Sequence, residues 1–128
     1  MDGGLGYLAF NLTEDAIERL RRKFPPRYER FVCHHVTIVF GVHAPAQLPP
    51  VSSAIAVVGH LDDGLGLEAL IVEVDGSRQR PDGGAFHITH SLAPGRRSAE
   101  SNEAIRSHGW TALAEPIPIA ATPRWNKI

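Results

Sequence analysis

The chain has very little cysteine: Cys33 stands alone. No internal disulfide can form, which suits a reducing cytosol, and a zinc cage of the Cys-rich kind is excluded. Long apolar runs are missing too. No stretch approaches the length needed to span a bilayer. The opening MDGGLGYLAF has no basic segment followed by a greasy one, so no secretory signal is read there. A cytoplasmic location is the expectation, with no membrane partner. An excess of one charge is also absent, the formal net charge being -1. Coating long duplex nucleic acid demands many phosphate contacts, so that task is disfavoured; a pocket for one or two phosphates stays open. The chain carries neither a low-complexity tract nor a short-period repeat.

What is present is ordinary globular material. A chain of 128 residues is read as one domain, 1–128, able to bury a core, and a monomer is expected. GYLAFNL reads as a strand. LTEDAIERLRRKF reads as a helix with Thr13 as N-cap, acidic residues in its first turn and basic ones near its end, as the helix dipole favours. Leu12, Ala16, Ile17, Leu20 and Phe24 recur at helical spacing and should face a core. The stretch ERLRRKFPPRYER (18–30) clusters the N-terminal basic residues, and Arg19, Arg21, Arg22 and Lys23 read as a solvated helix face. FVCHHVTIVFGV is a second strand. HAPAQLPPV (43–51), with three prolines, is the best linker between two pseudo-halves, about 1–46 and 50–128. SAIAVVGH and LEALIVEV flank the turn LDDGLG as a hairpin. DGSRQRPDGG is an irregular loop, AFHITHSL a strand, and SNEAIRSHG a short helix closed by Gly109. WTALAEPIPIAAT is extended, with prolines that suit an edge.

The chemistry sits in two local repeats. HHVTIVFG (34–41) and FHITHSL (86–92) each contain His, an apolar residue and Thr: His35-Val36-Thr37 and His87-Ile88-Thr89. In a strand, side chains at i and i+2 share a face and lie about 6.6 Å apart. His35 and Thr37 therefore form one row, His87 and Thr89 another that Ser91 continues, while His34 and His90 fall on opposite faces from these rows. Random placement of this many His and Thr residues gives roughly 0.3 such triplets per chain, so two inside apolar strand patterns exceed chance. Taken singly, each His reads as a structural strand histidine and each Thr as a good strand former. Imidazole titrates near neutral pH, so one ring can accept a proton while the other gives one. Phosphodiester cleavage needs both acts. Thr hydroxyls can donate to the non-bridging oxygens, where charge sits in the transition state. Neither metal nor cofactor is needed for this scheme.

Two His-x-Thr motifs on core strands, one per half, resemble the two-histidine (2H) phosphoesterase superfamily. That group includes bacterial and archaeal RNA 2′,3′-cyclic phosphodiesterases and the cyclic phosphodiesterase domains of fungal and plant tRNA ligases. EALIVEVDGSRQRPDGGAFHITHSL and RRSAESN are similar to a ligase-like, RNA-repair branch, in which an Arg-Pro-x-Gly loop precedes the second motif and a Ser-Asn pair opens the last helix. The resemblance covers nearly the whole chain. It implies an α+β, bilobal fold with two antiparallel-sheet lobes, flanking helices and a central cleft. It implies catalytic His35 and His87 and phosphate-binding Thr37 and Thr89. The reaction implied opens a 2′,3′-cyclic phosphate of an RNA 3′ end or small nucleotide to a monophosphate, commonly the 2′-phosphate, with His87 activating water and His35 protonating the departing oxygen. The chain is compact for the group, which leaves substrate identity open.

Other residues read two ways. Tyr7 could stack on a base or pack in the core. Arg80 and Arg97 could reach phosphate or be merely solvated, and Ser91 could touch substrate or be structural. Trp110 and Trp125 read as packing residues, and Cys33 as a small buried apolar one. Three further functions compete. A metal site meets an obstacle in HITH, whose two His at i and i+3 point to opposite sides of a strand. A non-catalytic RNA-end or nucleotide-binding module should have lost a His or Thr, and none is missing. An enzyme acting on 2′,5′-linked or cyclic oligonucleotides, or on ADP-ribose cyclic phosphate, would use the same pair.

Overall fold

A computed structural model describes residues 4–44, 47–50 and 53–128. Strand and helix follow the residue pattern closely at first. β1 (Leu5–Leu12) runs into α1 (Glu14–Lys23), where Thr13 Oγ1 accepts from the Ala16 amide at 3.1 Å and caps the helix. Ala16 and Leu20 turn inward as their spacing requires, and the chain leaves the helix at Phe24, before two prolines. Then follow β2 (Arg30–Phe31), β3 (His35–His43), β4 (Ile55–Asp62), β5 (Leu67–Val74) and β6 (His87–Leu92). A 3₁₀ turn (Ser98–Glu100) leads into α2 (Ser101–His108), closed by Gly109 at φ 70°, and the chain ends in β7 (Thr111–Pro118) and β8 (Ala121–Lys127).

The result is α+β, with two antiparallel sheets. One has the order β3-β1-β8, the other β2-β6-β5-β4-β7. The hairpin read around LDDGLG is β4–β5, and the proline-bearing β7 is an edge strand, where a missing N–H costs least. Of the linker read at 43–51, residues 45, 46 and 51 lie outside the described residues, and His43 is still the last residue of β3. The sheets also interleave the two sequence halves. β2, from the first half, joins the larger sheet, and β8, from the last residues, joins the smaller.

β5 explains where the core sits. Its run LEALIVEV is buried on both faces, so Leu70 and Val72 point one way and Ala69 and Ile71 the other. The first set packs with Phe10 from β1, Leu20 from α1 and Val36 from β3, filling the space between the sheets and α1. The second set lies under Ala104 and Ile105 of α2. Gly59 of β4 is needed for close approach: a Cβ there would stand 2.2 Å from the Trp110 indole. No helix among the described residues is long and apolar enough to cross a membrane.

The stretch read as one strand, FVCHHVTIVFGV, is two. Cys33 has φ 35°, a left-handed conformation uncommon for a residue with a side chain. Up to that point the chain runs beside β6, with the Val32 amide donating to the His90 carbonyl and the Cys33 amide to the Thr89 carbonyl, both at 2.9 Å. Beyond it the His34 carbonyl accepts from the Leu12 amide at 2.9 Å, and β3 pairs with β1. One chain segment thus belongs to both sheets in turn.

A buried carboxylate pins the segment that leads to this crossing. Glu68 has no exposed surface. Its side chain accepts from His60 Nε2 at 2.7 Å, Ser91 Oγ at 2.6 Å and the Arg27 amide at 3.1 Å. Burial alone would raise its pKa, but these donors outweigh burial and hold it below the usual carboxylate range. Replacing Glu68 with Ala removes the acceptor of three donors at once, one of them the fully buried Ser91 hydroxyl. The expected loss, read from urea denaturation of the variant, is about 3–5 kcal/mol, with Glu68→Gln losing less because its amide oxygen keeps an acceptor.

Candidate active site

The two His-x-Thr rows meet. His35 and His87 begin β3 and β6, and the crossing at Cys33 sets these strand starts beside one another. A cavity of about 450 Å³ is lined by His35, Thr37, His87 and Thr89 together. Val32, His34, Tyr7, Phe40, Arg80, Ser98, Ala99 and Asn102 complete its wall.

Each imidazole is held at Nδ1, by different partners. His87 Nδ1 lies 2.8 Å from the Ala85 carbonyl. A carbonyl can only accept, so the ring carries its proton on Nδ1, and Nε2 of the neutral ring has a free lone pair. Burial lowers the His87 pKa, more than the Ala85 carbonyl raises it; the Arg80 guanidinium lowers it further, and Asp82 opposes. His35 Nδ1 meets His34 Nδ1 at 2.9 Å. Its pKa is pushed down to about 4, first by burial, then by the charges that His34 and His87 can carry. The free protein at neutral pH therefore holds His35 as a neutral ring, and an arriving anion would favour its charged form.

The hydroxyls are placed by pairing. Thr37 faces the cavity from β3, across from Ala9 of β1. Thr89 is buried and shares a 2.8 Å hydrogen bond with Ser101 Oγ. If Ser101 donates, the Thr89 proton is free for a ligand. Ser101 opens α2, so the N-terminal end of the 3₁₀–α2 unit borders the cavity through Ser98, Ala99 and Asn102, and the positive end of the helix dipole favours an anion there.

Arg80 is 6% exposed, is tied to Asp82 through one terminal nitrogen, and leaves its buried Nε without a partner at the cavity wall. Opposite in kind, Tyr7 and Phe40 form an apolar wall. They are cross-strand neighbours whose rings stack at 5.9 Å, and Tyr7 also lies 5.0 Å from the His35 ring. Phe40 is 60% exposed at this rim.

Two residues singled out in the sequence are not brought to the cavity. Ser91 was expected to continue the row of His87 and Thr89. In β6 Thr89 lies across from Ala69 but Ser91 across from Glu68, so two steps on one strand meet one step on its neighbour. This bulge at His90 reverses the alternation, and Ser91 turns to the opposite face, where it bonds Glu68. Arg97 is an exposed side chain beside Glu100. His34 is the reverse case. Strand alternation put it away from the row, yet the turn at Cys33 returns it to the cavity beside His35. Ser98 and Ala99 gave no signal in the sequence, whereas Asn102 belongs to the Ser-Asn pair that the resemblance marked. His90 lies away from the cavity, with Nε2 donating to the Phe24 carbonyl at 2.7 Å. Trp125 packs across the small sheet, its indole N–H bonding the Val42 carbonyl. Among the described residues no group of three His, Cys, Asp or Glu is placed to hold a metal ion.

No family model, no curated protein and no solved structure matches this chain.

The depressed imidazoles set an acid limit to stability. His35, His87 and His90 all titrate lower in the folded chain than free histidine does. The unfolded chain then binds protons first, so their stabilisation is complete above pH 6.5 and is lost as the pH falls toward 4, the value that His35 reaches. Scanning calorimetry should show Tm falling across this window, with a shallower slope in His35→Phe. Inorganic phosphate should raise Tm most at the acid end, because an anion in the cavity favours charged rings.

Proposed function

We propose that this chain is a phosphodiesterase that opens a 2′,3′-cyclic phosphate, at an RNA 3′ end or on a small nucleotide, to the 2′-phosphate by two-histidine acid–base catalysis. The observation that carries the reading is the convergence of His35, Thr37, His87 and Thr89 on one cavity from strands far apart in the chain. In this reading the two sheets are the lobes of a two-histidine phosphoesterase fold, and the crossing strands are the floor of its cleft.

The step follows from the hydrogen bonds. Nε2 of neutral His87, fixed as the acceptor by the Ala85 carbonyl, takes a proton from water as the water oxygen attacks phosphorus. The bond to O3′ breaks, and His35 gives that oxygen a proton. Thr37 and Thr89 donate to the non-bridging oxygens, whose negative charge grows in the transition state. Arg80, with its unpartnered Nε, adds positive charge close to the His87 end. The substrate's own phosphate charge favours positive charge at the histidines around it, so proton uptake and substrate binding reinforce each other. The Tyr7–Phe40 pair offers a flat apolar face to a base.

A panel of 2′,3′-cyclic nucleotides, cyclic-phosphate-ended oligonucleotides, 2′,5′-linked oligonucleotides and ADP-ribose cyclic phosphate, assayed in EDTA with product read by phosphate position, tests this. Turnover of the 2′,3′-cyclic substrates is expected, with loss of about 10²-fold or more in His35→Ala and in His87→Ala. Thr37→Ala and Thr89→Ala should lose about 10-fold or more each. Turnover untouched by both histidine changes would refute the assignment.

A further inference from the structure

The proposed reaction needs an acid at His35, yet the protein surrounds that ring with nothing that favours its charge. Among the described residues no carboxylate lines the cavity. The titratable and charged groups that face the ring are His34 on the same segment, Tyr7 from β1, His87 from β6 and Arg80 from the preceding loop; Asp82 is engaged by Arg80. The histidine pair itself supplies the missing proton store.

Two imidazole nitrogens 2.9 Å apart must share one proton, since two N–H groups would clash and two lone pairs would repel. We infer that His34 is a positioning residue which donates through Nδ1 to His35 Nδ1, fixes His35 as the Nε2–H form, and replaces the proton that His35 gives away. This rests on the function proposed above and adds a participant to it.

The protons balance. Before reaction His34 carries hydrogens on both nitrogens, and His35 is neutral with its hydrogen on Nε2. As the P–O3′ bond breaks, the Nε2 hydrogen of His35 passes to O3′, and the Nδ1 hydrogen of His34 passes to His35 Nδ1. His34 ends neutral with Nε2–H, His35 ends neutral with Nδ1–H, and His87 ends charged with the water proton. The positive charge never has to rest on the half-buried ring. It starts on His34, which is exposed and whose charge water can solvate, and exchange with solvent restores it. His35 thus sits inside, where it can reach the substrate, while its charge stays outside. His87 has no such neighbour: a backbone carbonyl, which carries no proton to give, holds its Nδ1. The two motifs are therefore equipped differently for giving and for taking a proton.

Long-range ¹H–¹⁵N correlation spectra of the imidazole nitrogens test the pair whether or not the protein turns anything over. Near neutral pH, His35 should show a bare Nδ1 and a protonated Nε2 in the wild type, and a mixture of forms in His34→Phe. A His35 ring protonated at Nδ1 in the wild type overturns the relay. The kinetic arm uses a 2′,3′-cyclic mononucleotide. His34→Phe should lower turnover about 10-fold or more at neutral pH and move the alkaline limb of the pH profile to lower pH, because His35 must then carry the charge itself. His34→Gln, whose amide can donate but cannot pass on a proton, should keep the wild-type His35 form in the spectra yet show the same kinetic loss. A loss that is uniform across pH would mean a packing role and overturns the relay. Absence of any wild-type turnover counts against the proposed function, separately from the spectra.

Discussion

The molecule depends on one backbone contact, the pairing of residues 32–33 with residues 89–90 just before the chain turns away at Cys33. Hydrogen bonds from two backbone amides hold the segment on β6, and the left-handed backbone of Cys33 then hands it to β1. Everything at the cavity follows from that transfer. It joins the two sheets, as the Ile119–Ala120 link from β7 to β8 also does, and it sets the first residue of β3 beside the first residue of β6. The Cys33 side chain is fully buried, and burial raises its thiol pKa to about 12. The residue is an inert filler at a pivot, where its backbone matters more than its sulfur.

Behind the pivot lies a polar network, and in front of it lies the cavity; β6 divides them. On one face Ser91 and Glu68 bind the chain that arrives from α1. On the other, His87 and Thr89 face open space under the N-terminal end of α2. The bulge at His90 makes this division possible, because it lets neighbouring polar residues of one short strand serve opposite faces. The network is rich in negative charge matched by donors, whereas the cavity has donors and imidazoles and, among the described residues, no carboxylate in its lining. An anion entering the cavity fills the electrostatic gap that burial creates around His35 and His87.

Much of the fold was legible. The cap at Thr13, the inward spacing of Ala16 and Leu20, the β4–β5 hairpin and the edge position of β7 follow from local rules, and the structure has each of them. The His-x-Thr rows were legible for the same reason: within a regular strand a side-chain period of two is a local property. The misreadings cluster where regularity stops. Alternation placed Ser91 with Thr89 and His34 away from His35. A bulge undid the first and a positive φ the second. Neither leaves a mark in composition, since Cys33 is not a glycine and HITHSL looks like any half-buried strand. Splitting the chain at its proline-rich stretch did not anticipate that β2 and β8 would each cross to the sheet built mainly by the other half.

The sequence by itself determined which residues could do acid–base chemistry, on which strands they sit and which hydroxyl accompanies each, because those relations span two or three residues. It also determined the hairpin around LDDGLG, because a turn between two apolar runs is a local signal. Only the tertiary structure decided that His35 and His87 share a cavity, that Arg80 is buried at its wall, and that His34 stands against His35. These are long-range placements, set by which sheet each strand joins. That choice is made by the summed burial of many apolar side chains, together with the hydrogen bonds of one crossing segment, and no local window of residues contains it.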